Sequence, residues 1–211
     1  MTTASTLPTV GAPAPAFSVR TDADETLTLD ALRGQVVVLY FYPKDDTSGC
    51  TREACDFRDE HSALEAAGAV VLGVSPDDTK SHMKFATKYS LPFPLLADTE
   101  RKVCDAYGVW GEKSLYGRKF LGVTRATFVI DTEGKVAHVW PKVKVDGHVQ
   151  EILQTLKGSA PGAGAVAAVK KAVTKKVAAA KKAVAAVKKT VAKKAAPAKK
   201  AVAKKSVARR K

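Results

Sequence analysis

The hydrophobic and polar positions along the chain predict strands that alternate with helices. An unbroken apolar run from Val36 to Tyr42 is typical of a strand that is buried on both faces of a sheet. A second apolar run, Ala69 to Ser75, has the same character, and helix-like patterns follow both runs. Thr127 to Asp131 and Val136 to Trp140 flank a short polar turn and predict a hairpin. The alternation indicates an α/β protein with a mixed sheet.

Shorter patterns complete this prediction. Two prolines exclude a central strand from Leu91 to Leu96, so we predict an irregular crossing there. A long loop is predicted from Gly108 to Gly122. The other predicted elements are a hairpin of Phe17 to Val19 with Leu27 to Leu29, one helix from about Cys50 to Ala67 that stops at Gly68, a helix that ends near Tyr89, a short helix near Glu100 to Tyr107, and a last helix from Gly147 to Lys157.

Composition divides the chain into four parts. Residues 1–15, rich in Thr, Pro and Ala, predict an extended arm, and residues 16–157 are long enough to bury a sizeable core. Residues 158–169 read as a linker, and residues 170–211 are a low-complexity array of Ala, Val and paired Lys. The boundary at Gly158 is therefore the predicted end of the folded domain.

The net charge of +14 belongs to residues 170–211 alone, because the chain up to Lys157 holds all 21 acidic residues. We expect these cations to repel one another and the free tail to be mostly disordered. Its composition resembles the Lys/Ala-rich tails of linker histones, which favours nonspecific DNA binding; a solubility tail and a lipid-binding tail are the alternatives. The candidate nucleic-acid contacts are Lys170, Lys171, Lys175, Lys176, Lys181, Lys182, Lys188, Lys189, Lys193, Lys194, Lys199, Lys200, Lys204, Lys205, Arg209, Arg210 and Lys211.

The candidate chemistry lies directly after the first buried strand. Tyr42 to Cys55 reads as a loop and a helix start, with Cys50 in the first turn. Backbone N–H groups at a helix N-terminus stabilise negative charge, so a thiol there loses its proton more easily than a thiol buried elsewhere. Cys50 is therefore a candidate nucleophile, with the second thiol of Cys55 five residues further on.

These residues resemble the peroxiredoxins. Pro43, Thr47 and Cys50 stand in a Pro-x-x-x-Thr-x-x-Cys motif, and Cys50 with Cys55 forms a Cys-x-x-x-x-Cys pair similar to the bacterioferritin comigratory protein (PrxQ) branch. Ser48 stands where that branch usually has proline. The similarity covers roughly residues 9 to 157, and its other stretches are Val36 to Pro43, Tyr107 to Lys113 and Gly122 to Asp131. It implies a thioredoxin-like fold.

The resemblance also implies a mechanism. Cys50 would reduce hydrogen peroxide or an organic hydroperoxide and become a sulfenic acid, and Cys55 would then form a disulfide with it that a thioredoxin-type dithiol reduces. Thr47 would hold the thiolate and a peroxide oxygen, Pro43 would shield the sulfur, and Arg125 would supply positive charge. In one regular helix the two cysteine Cα atoms lie ~8.7 Å apart. Since disulfides rarely span more than ~7 Å, the helix would have to unwind locally.

Several residues have alternative interpretations. Cys104 fits a helical apolar pattern and reads as a buried core residue, although a role in place of Cys55 stays open. Thr47 could cap a helix, and Arg125 could be a surface ion-pair partner. The cysteines and four histidines show no short paired ligand spacing, so we expect neither a metal nor a cofactor.

Two other functional classes are alternatives to a peroxidase. A general thiol-disulfide oxidoreductase would more typically carry Cys-x-x-Cys, which is absent. A nucleoid-associated DNA-binding protein with a redox or inert thioredoxin-like domain is the alternative that the tail favours. The chain has three cysteines, an odd number, and shows neither a secretory segment nor ~20 consecutive apolar residues. These features predict a cytoplasmic protein without a membrane span. The basic tail adds association with the nucleoid to this prediction. The branch resemblance implies a monomer.

Overall fold

The computed structural model of the protein describes residues 6–115 and 118–158, which adopt a thioredoxin-like fold. A mixed central sheet is flanked by helices on both faces. The strands are β1 (Ser18–Arg20), β2 (Thr26–Thr28), β3 (Val36–Phe41), β4 (Ala69–Ser75), β5 (Leu95–Ala97), β6 (Trp110–Leu115), β7 (Arg118–Val123), β8 (Ala126–Ile130) and β9 (Val136–Trp140). The helices are α1 (Ser48–Asp59), α2 (His61–Ala66), α3 (Thr79–Tyr89), α4 (Lys102–Ala106) and α5 (His148–Gly158), with one 3-10 turn at Asp30–Leu32.

The central sheet has five strands in the order β5-β4-β3-β8-β9. β3 runs parallel to β4 and antiparallel to β8, and β8 and β9 form the predicted hairpin. The β1–β2 and β6–β7 hairpins are separate two-stranded sheets. Because β3 is central, every one of its side chains is buried, as its apolar sequence predicts.

Successive side chains of β3 point to opposite faces and so belong to two cores. Val38 and Tyr40 pack in the core that includes α1, α3 and α5. Leu39 and Phe41 pack in the core on the other face, together with Phe17 and residues of α4. Burying apolar area on both faces holds the carboxyl end of β3 rigidly, and the loop with Cys50 starts there.

The structure corrects three predicted elements. The predicted helix of residues 50–67 is two helices, because the backbone leaves helical geometry at Glu60 (φ −95°, ψ 6°). It does stop at Gly68, whose φ of +79° suits glycine. The predicted long loop of residues 108–122 is mostly the β6–β7 hairpin. The irregular crossing at 91–96 ends in β5, which pairs with β4 at the sheet edge, where a preceding proline is tolerated.

The two ends of the chain differ in what the structure describes. Gly11 and Ala14 of the predicted arm donate backbone hydrogen bonds to Val136 and Gly134, so this part of the arm lies against the β8–β9 turn. The predicted linker and tail, residues 159–211, lie outside the described residues. Among the described helices, none has the length and apolar character needed to cross a membrane.

Candidate active site

Cys50 lies in the first turn of α1, as predicted, and its side chain is only 1% exposed. The loop that leaves β3 turns sharply at Asp46, which has a left-handed backbone (φ +55°), and enters α1 at Ser48. The sulfur therefore lies near backbone N–H groups that have no partner within the helix. This environment stabilises negative charge on the sulfur.

Arg125 contacts this sulfur directly. The register of the sheet pairs Phe41 at the end of β3 with Ala126 at the start of β8, so Arg125 comes next to the loop that follows β3. Its Nη2 donates a hydrogen bond to Cys50 Sγ at 3.2 Å, and its Nη1 donates to a carboxylate oxygen of Glu53. The guanidinium group is 17% exposed, so the interpretation of Arg125 as a surface ion-pair partner is wrong.

Glu53 is a site residue that the sequence interpretation missed. It is 1% exposed, and burial raises its pKa to about 7, although Arg125 acts in the opposite direction. Its Oε1 and the hydroxyl of Tyr40 are buried without a hydrogen-bond partner in the described part of the chain. The spacing could have revealed it, because residues three apart share one face of a helix and Glu53 follows Cys50 by three.

Thr47 and Pro43 border the site. Thr47 is the N-cap residue of α1, but its hydroxyl makes no capping bond and donates instead to the carbonyl of Lys44 at 3.2 Å. The alternative that its hydroxyl caps the helix is therefore wrong. Both Thr47 and Pro43 are exposed, in contrast to the buried sulfur of Cys50.

Cys55 lies on α1 as well, so both cysteines belong to one continuous helix. It is half-buried, and its thiol is free, as are those of Cys50 and Cys104. Cys104 is fully buried in the second core, as its apolar pattern predicts, and burial followed by the charge of Asp98 raises its pKa. Of the two other thiols, Cys55 is thus the accessible one.

His148 is a buried neighbour of the site that no sequence pattern indicated. Its Nε2 lies 2.8 Å from the hydroxyl of Thr127, and Trp140 and Phe57 pack against its ring. Burial, with a smaller effect of the positive charge of Arg125, lowers its pKa to about 4. His148 is therefore neutral near pH 7 and adds no second positive charge.

Lys113 of β6 also comes within electrostatic range of the site. It donates a hydrogen bond to the carbonyl of Val123, and burial together with Arg125 lowers its pKa, whereas Cys50 raises it. The sequence pattern predicts a loop for residues 108–122, and a predicted loop does not show which side chains face the Cys50 sulfur. The β6–β7 hairpin is what brings it towards the sulfur.

The arrangement is suited to chemistry on sulfur. A buried thiol at a helix N-terminus with a guanidinium at hydrogen-bond distance can carry negative charge and attack an electrophile. Within residues 6–115 and 118–158, no three His, Cys, Asp or Glu side chains are grouped so that they could hold a metal ion.

Comparisons with known proteins identify the family of the chain. A model of the AhpC/TSA family matches residues 10–139. The putative peroxiredoxin bcp of Coxiella burnetii is 56% identical over 147 residues, 70% of this chain and 97% of that protein. Peroxiredoxin Bcp of Bacillus subtilis is 49% identical over 148 residues, 70% of this chain and 94% of that protein.

Solved structures give the same result. The bacterioferritin comigratory protein of Xanthomonas campestris, described with its alkyl peroxide reduction activity, superposes with a TM-score of 0.68 at 39% identity. That match covers 72% of this chain and all of that one. A PrxQ mutant from Xylella fastidiosa superposes with a TM-score of 0.70 at 34% identity, over 74% of this chain and 99% of that one.

Fold and site together define a thioredoxin-like peroxidase that works through a thiol. The chain belongs to the AhpC/TSA family and, within it, to the Bcp (PrxQ) peroxiredoxins. Its activity is the thiol-dependent reduction of peroxides, so it takes a hydroperoxide as substrate and needs a reductant. The resemblance seen in the sequence is confirmed for fold, family and enzyme class.

Proposed function

We propose that Cys50 is the residue that reacts with the hydroperoxide. The observation that carries this proposal is the 3.2 Å hydrogen bond from Arg125 to the buried Cys50 sulfur in the first turn of α1. Positive charge at this distance stabilises the thiolate that must attack the O–O bond. Cys55 has no such place at a helix N-terminus, and Cys104 is enclosed in the core.

The first step consumes one molecule of hydroperoxide. The Cys50 thiolate donates an electron pair to the nearer peroxide oxygen and the O–O bond breaks. The sulfur is oxidised to a sulfenic acid, and the other oxygen leaves with a proton as water or an alcohol. Hydrogen peroxide and organic hydroperoxides share this O–O bond and are both substrates in this scheme.

Arg125 stabilises the negative charge that moves from sulfur to the leaving oxygen. Two nitrogens of its guanidinium group donate hydrogen bonds, one to the Cys50 sulfur and one to the Glu53 carboxylate. The buried carboxylate fixes the orientation of the guanidinium, which is a condition for electrostatic stabilisation without reorganisation. The exposed Thr47 hydroxyl is the peroxide-binding group once it turns from Lys44, and Pro43 covers the sulfur from outside.

Cys55 completes the cycle as the second thiol. It attacks the sulfenic sulfur of Cys50, a disulfide forms, and the oxygen leaves as water. Because both cysteines lie on α1, the ~8.7 Å helical separation of their Cα atoms has to shorten by local unwinding. This local opening breaks a few helical hydrogen bonds and disturbs the buried face of α1 that Cys50 and Ala54 share.

The reductant is a thioredoxin-type dithiol. An intramolecular disulfide is reduced when one thiolate attacks it and a second thiol resolves the mixed disulfide. A partner with two neighbouring thiols supplies both in one encounter. We place this monomeric enzyme in the cytoplasm, on the basis of the odd number of cysteines and the resemblance to the PrxQ branch.

One equivalent of hydrogen peroxide should produce a single disulfide between Cys50 and Cys55 in the reduced full-length protein. Peptide mass mapping checks this, since the linked peptides lose two hydrogens. In the Cys55→Ser variant, a sulfenic acid should persist at Cys50 and react with a dimedone probe. The Cys104→Ser variant is the control and should behave like the wild type. A disulfide that contains Cys104 would contradict the assignment of Cys55.

The tail supports a second function, nonspecific binding of nucleic acid. The 17 basic residues from Lys170 to Lys211 stand without a single acidic residue, and such a chain binds polyanions by releasing their counterions. No aromatic residue follows Trp140, so stacking on single-stranded bases is not part of the proposal. Binding would keep a peroxidase next to DNA, in a nucleoid-associated fraction of the cytoplasm.

Removing residues 158–211 should abolish DNA retardation in a gel shift. The full-length protein should retard duplexes of unrelated sequence equally, and retardation should weaken steeply between 50 and 200 mM salt, by about 10³-fold or more if six or more phosphates are neutralised. The truncated variant that ends at Lys157 should keep its peroxidase activity, which serves as the control for folding. Retardation that survives the truncation would locate DNA binding in the folded domain.

A further inference from the structure

Two aspartates of the loop that precedes α1 are held by α3. This loop, residues 43–47, connects the end of β3 to the helix that carries Cys50. Asp45 is buried and Asp46 is half-exposed, and the two side chains find their partners at different turns of the same helix. None of these contacts includes Cys50 or Arg125.

The inner contact is a buried network around Asp45. His82 of α3 is fully buried, and its Nδ1 lies 2.9 Å from Asp45 Oδ2. Its Nε2 lies 3.1 Å from the carbonyl of Leu96 and must donate, because a carbonyl only accepts. Tyr42 and Ser81 donate hydroxyl hydrogen bonds to the same carboxylate at 2.8 and 2.7 Å. Asp45 is thus bonded to three side chains, two from α3 and one from the residue that follows β3.

The outer contact holds Asp46. Lys88 Nζ lies 2.8 and 2.7 Å from the two carboxylate oxygens, and the Tyr89 hydroxyl donates to Oδ1 at 2.6 Å. Asp46 has a left-handed backbone, which costs energy for a residue other than glycine and needs support from its surroundings. The contacts with α3 supply that support.

The contacts fix the loop in the conformation from which Thr47 and Cys50 follow. The backbone N–H of Asp45 also donates to the side chain of Asp77, two residues before the start of α3, at 2.8 Å. Thr47 comes next after Asp46, and its hydroxyl is the proposed peroxide-binding group. A displacement of about 1 Å at such a group can lower a rate by about 100-fold.

We propose that α3 is the positioning element of the peroxide-binding loop, through Asp45 with His82 inside and Asp46 with Lys88 and Tyr89 outside. This rests on the proposed role of Cys50 as the peroxide-reacting thiol. The contacts act through Thr47 and the backbone of the loop, not on the reacting atoms. Their loss therefore slows the reaction with peroxide more than a reaction that needs only an accessible thiolate.

The test compares two reactions of Cys50 in single-turnover experiments on the full-length protein. The rate constant for oxidation by hydrogen peroxide depends on the loop, whereas alkylation by iodoacetamide does not use a peroxide-binding group. Replacing both outer partners, Lys88→Met with Tyr89→Phe, should lower the oxidation rate about 10-fold and the alkylation rate less than 2-fold. Asp45→Asn should lower the oxidation rate about 100-fold.

Two further variants separate positioning from general damage. The single variant Lys88→Arg keeps the ion pair with Asp46 and the hydroxyl of Tyr89, so its oxidation rate should equal that of the wild type. Lys84→Met removes an exposed lysine from the same helix and should change neither rate. If Asp45→Asn does not fold, the outer variants still decide, because Lys88 is exposed and Tyr89→Phe keeps the half-buried ring.

The outcomes are distinct. Oxidation within 2-fold of the wild type in the folded variants overturns the proposal, and so does an equal fall of oxidation and alkylation. If Cys50 of the wild type does not react with peroxide at all, the proposed function itself fails. A selective fall of the oxidation rate, restored in Lys88→Arg, supports the positioning role of α3.

Discussion

Replacing Cys50 with serine should reduce peroxide consumption to the rate of buffer without enzyme. A serine hydroxyl stays protonated near neutral pH and cannot be oxidised to an analogue of the sulfenic acid, so the first step has no nucleophile and no electron donor. The measurement is the loss of hydrogen peroxide in the presence of a thioredoxin system. Thermal unfolding checks that the variant is folded.

The matched control is the Cys104→Ser variant. It removes one thiol from the same domain but leaves the Arg125–Cys50 contact unchanged, so turnover should persist if the variant folds. Burying a hydroxyl in place of the Cys104 thiol should lower the thermal stability of the variant and leave its reaction with peroxide unchanged. Residual turnover in Cys50→Ser together with its loss in Cys104→Ser would show that Cys104, and not Cys50, reacts with the peroxide.

The main strands and the place of Cys50 at a helix start could be predicted because their signals are local. The apolar run of β3 can only be accommodated in the middle of a sheet, and polar residues with glycine follow it. Cys50 then lies in the first turn of the helix that begins at Ser48. Arg125 was predicted through the family resemblance, since 75 residues separate it from Cys50 and no spacing rule connects them.

The β6–β7 hairpin could not be predicted, because its two strands lack a clean alternation of polar and apolar residues. Gly111 and Gly122 face each other in the register, and Phe120 and Leu121 are both exposed in part. A strand pattern is recognisable when one face is buried, and this hairpin lies apart from the central sheet. Lys113 was missed for the same reason.

The buried charges of the site could not be predicted from composition either. Glu53 reads as one more polar residue of an amphipathic helix, and only the folded structure encloses it with Arg125. The same holds for Asp45, which looks like a turn residue but lies in a buried network with His82. Burial of charge depends on partners from distant parts of the chain, so tertiary structure decides it.

Glu53 and His148 give stability opposite dependences on pH. The pKa of Glu53 is raised to about 7 in the folded state, so its contribution of about 3 kcal/mol is present below pH 4.5 and is lost as pH rises through 7. The pKa of His148 is lowered to about 4, so its contribution is present above pH 6.5 and is lost as pH falls through 4. Between pH 4.5 and pH 6.5, rising pH therefore lowers the stability that Glu53 contributes and raises the stability that His148 contributes.

Replacing Arg125 with methionine should lower the rate constant for oxidation of Cys50 by peroxide about 10² to 10³-fold, the usual effect of removing one donor to a developing oxyanion. It should also make stability strongly dependent on pH. Without the guanidinium, the pKa of Glu53 rises further, because Arg125 is what lowers it. At pH 8 the carboxyl group would then stay protonated in the folded state and ionised in the unfolded state, so the free energy of unfolding would keep falling by about 1.4 kcal/mol per pH unit above pH 7. Denaturant unfolding at pH 5 and pH 8 measures this difference.

The double variant Arg125→Met with Glu53→Gln separates the two effects. A neutral amide in place of the carboxyl group does not titrate, so stability at pH 8 should return towards that of the wild type. The oxidation rate should stay low, because no group then stabilises the charge on sulfur and leaving oxygen. If the rate recovers along with stability, Arg125 acts by holding the fold, and its hydrogen bond to Cys50 is not catalytic.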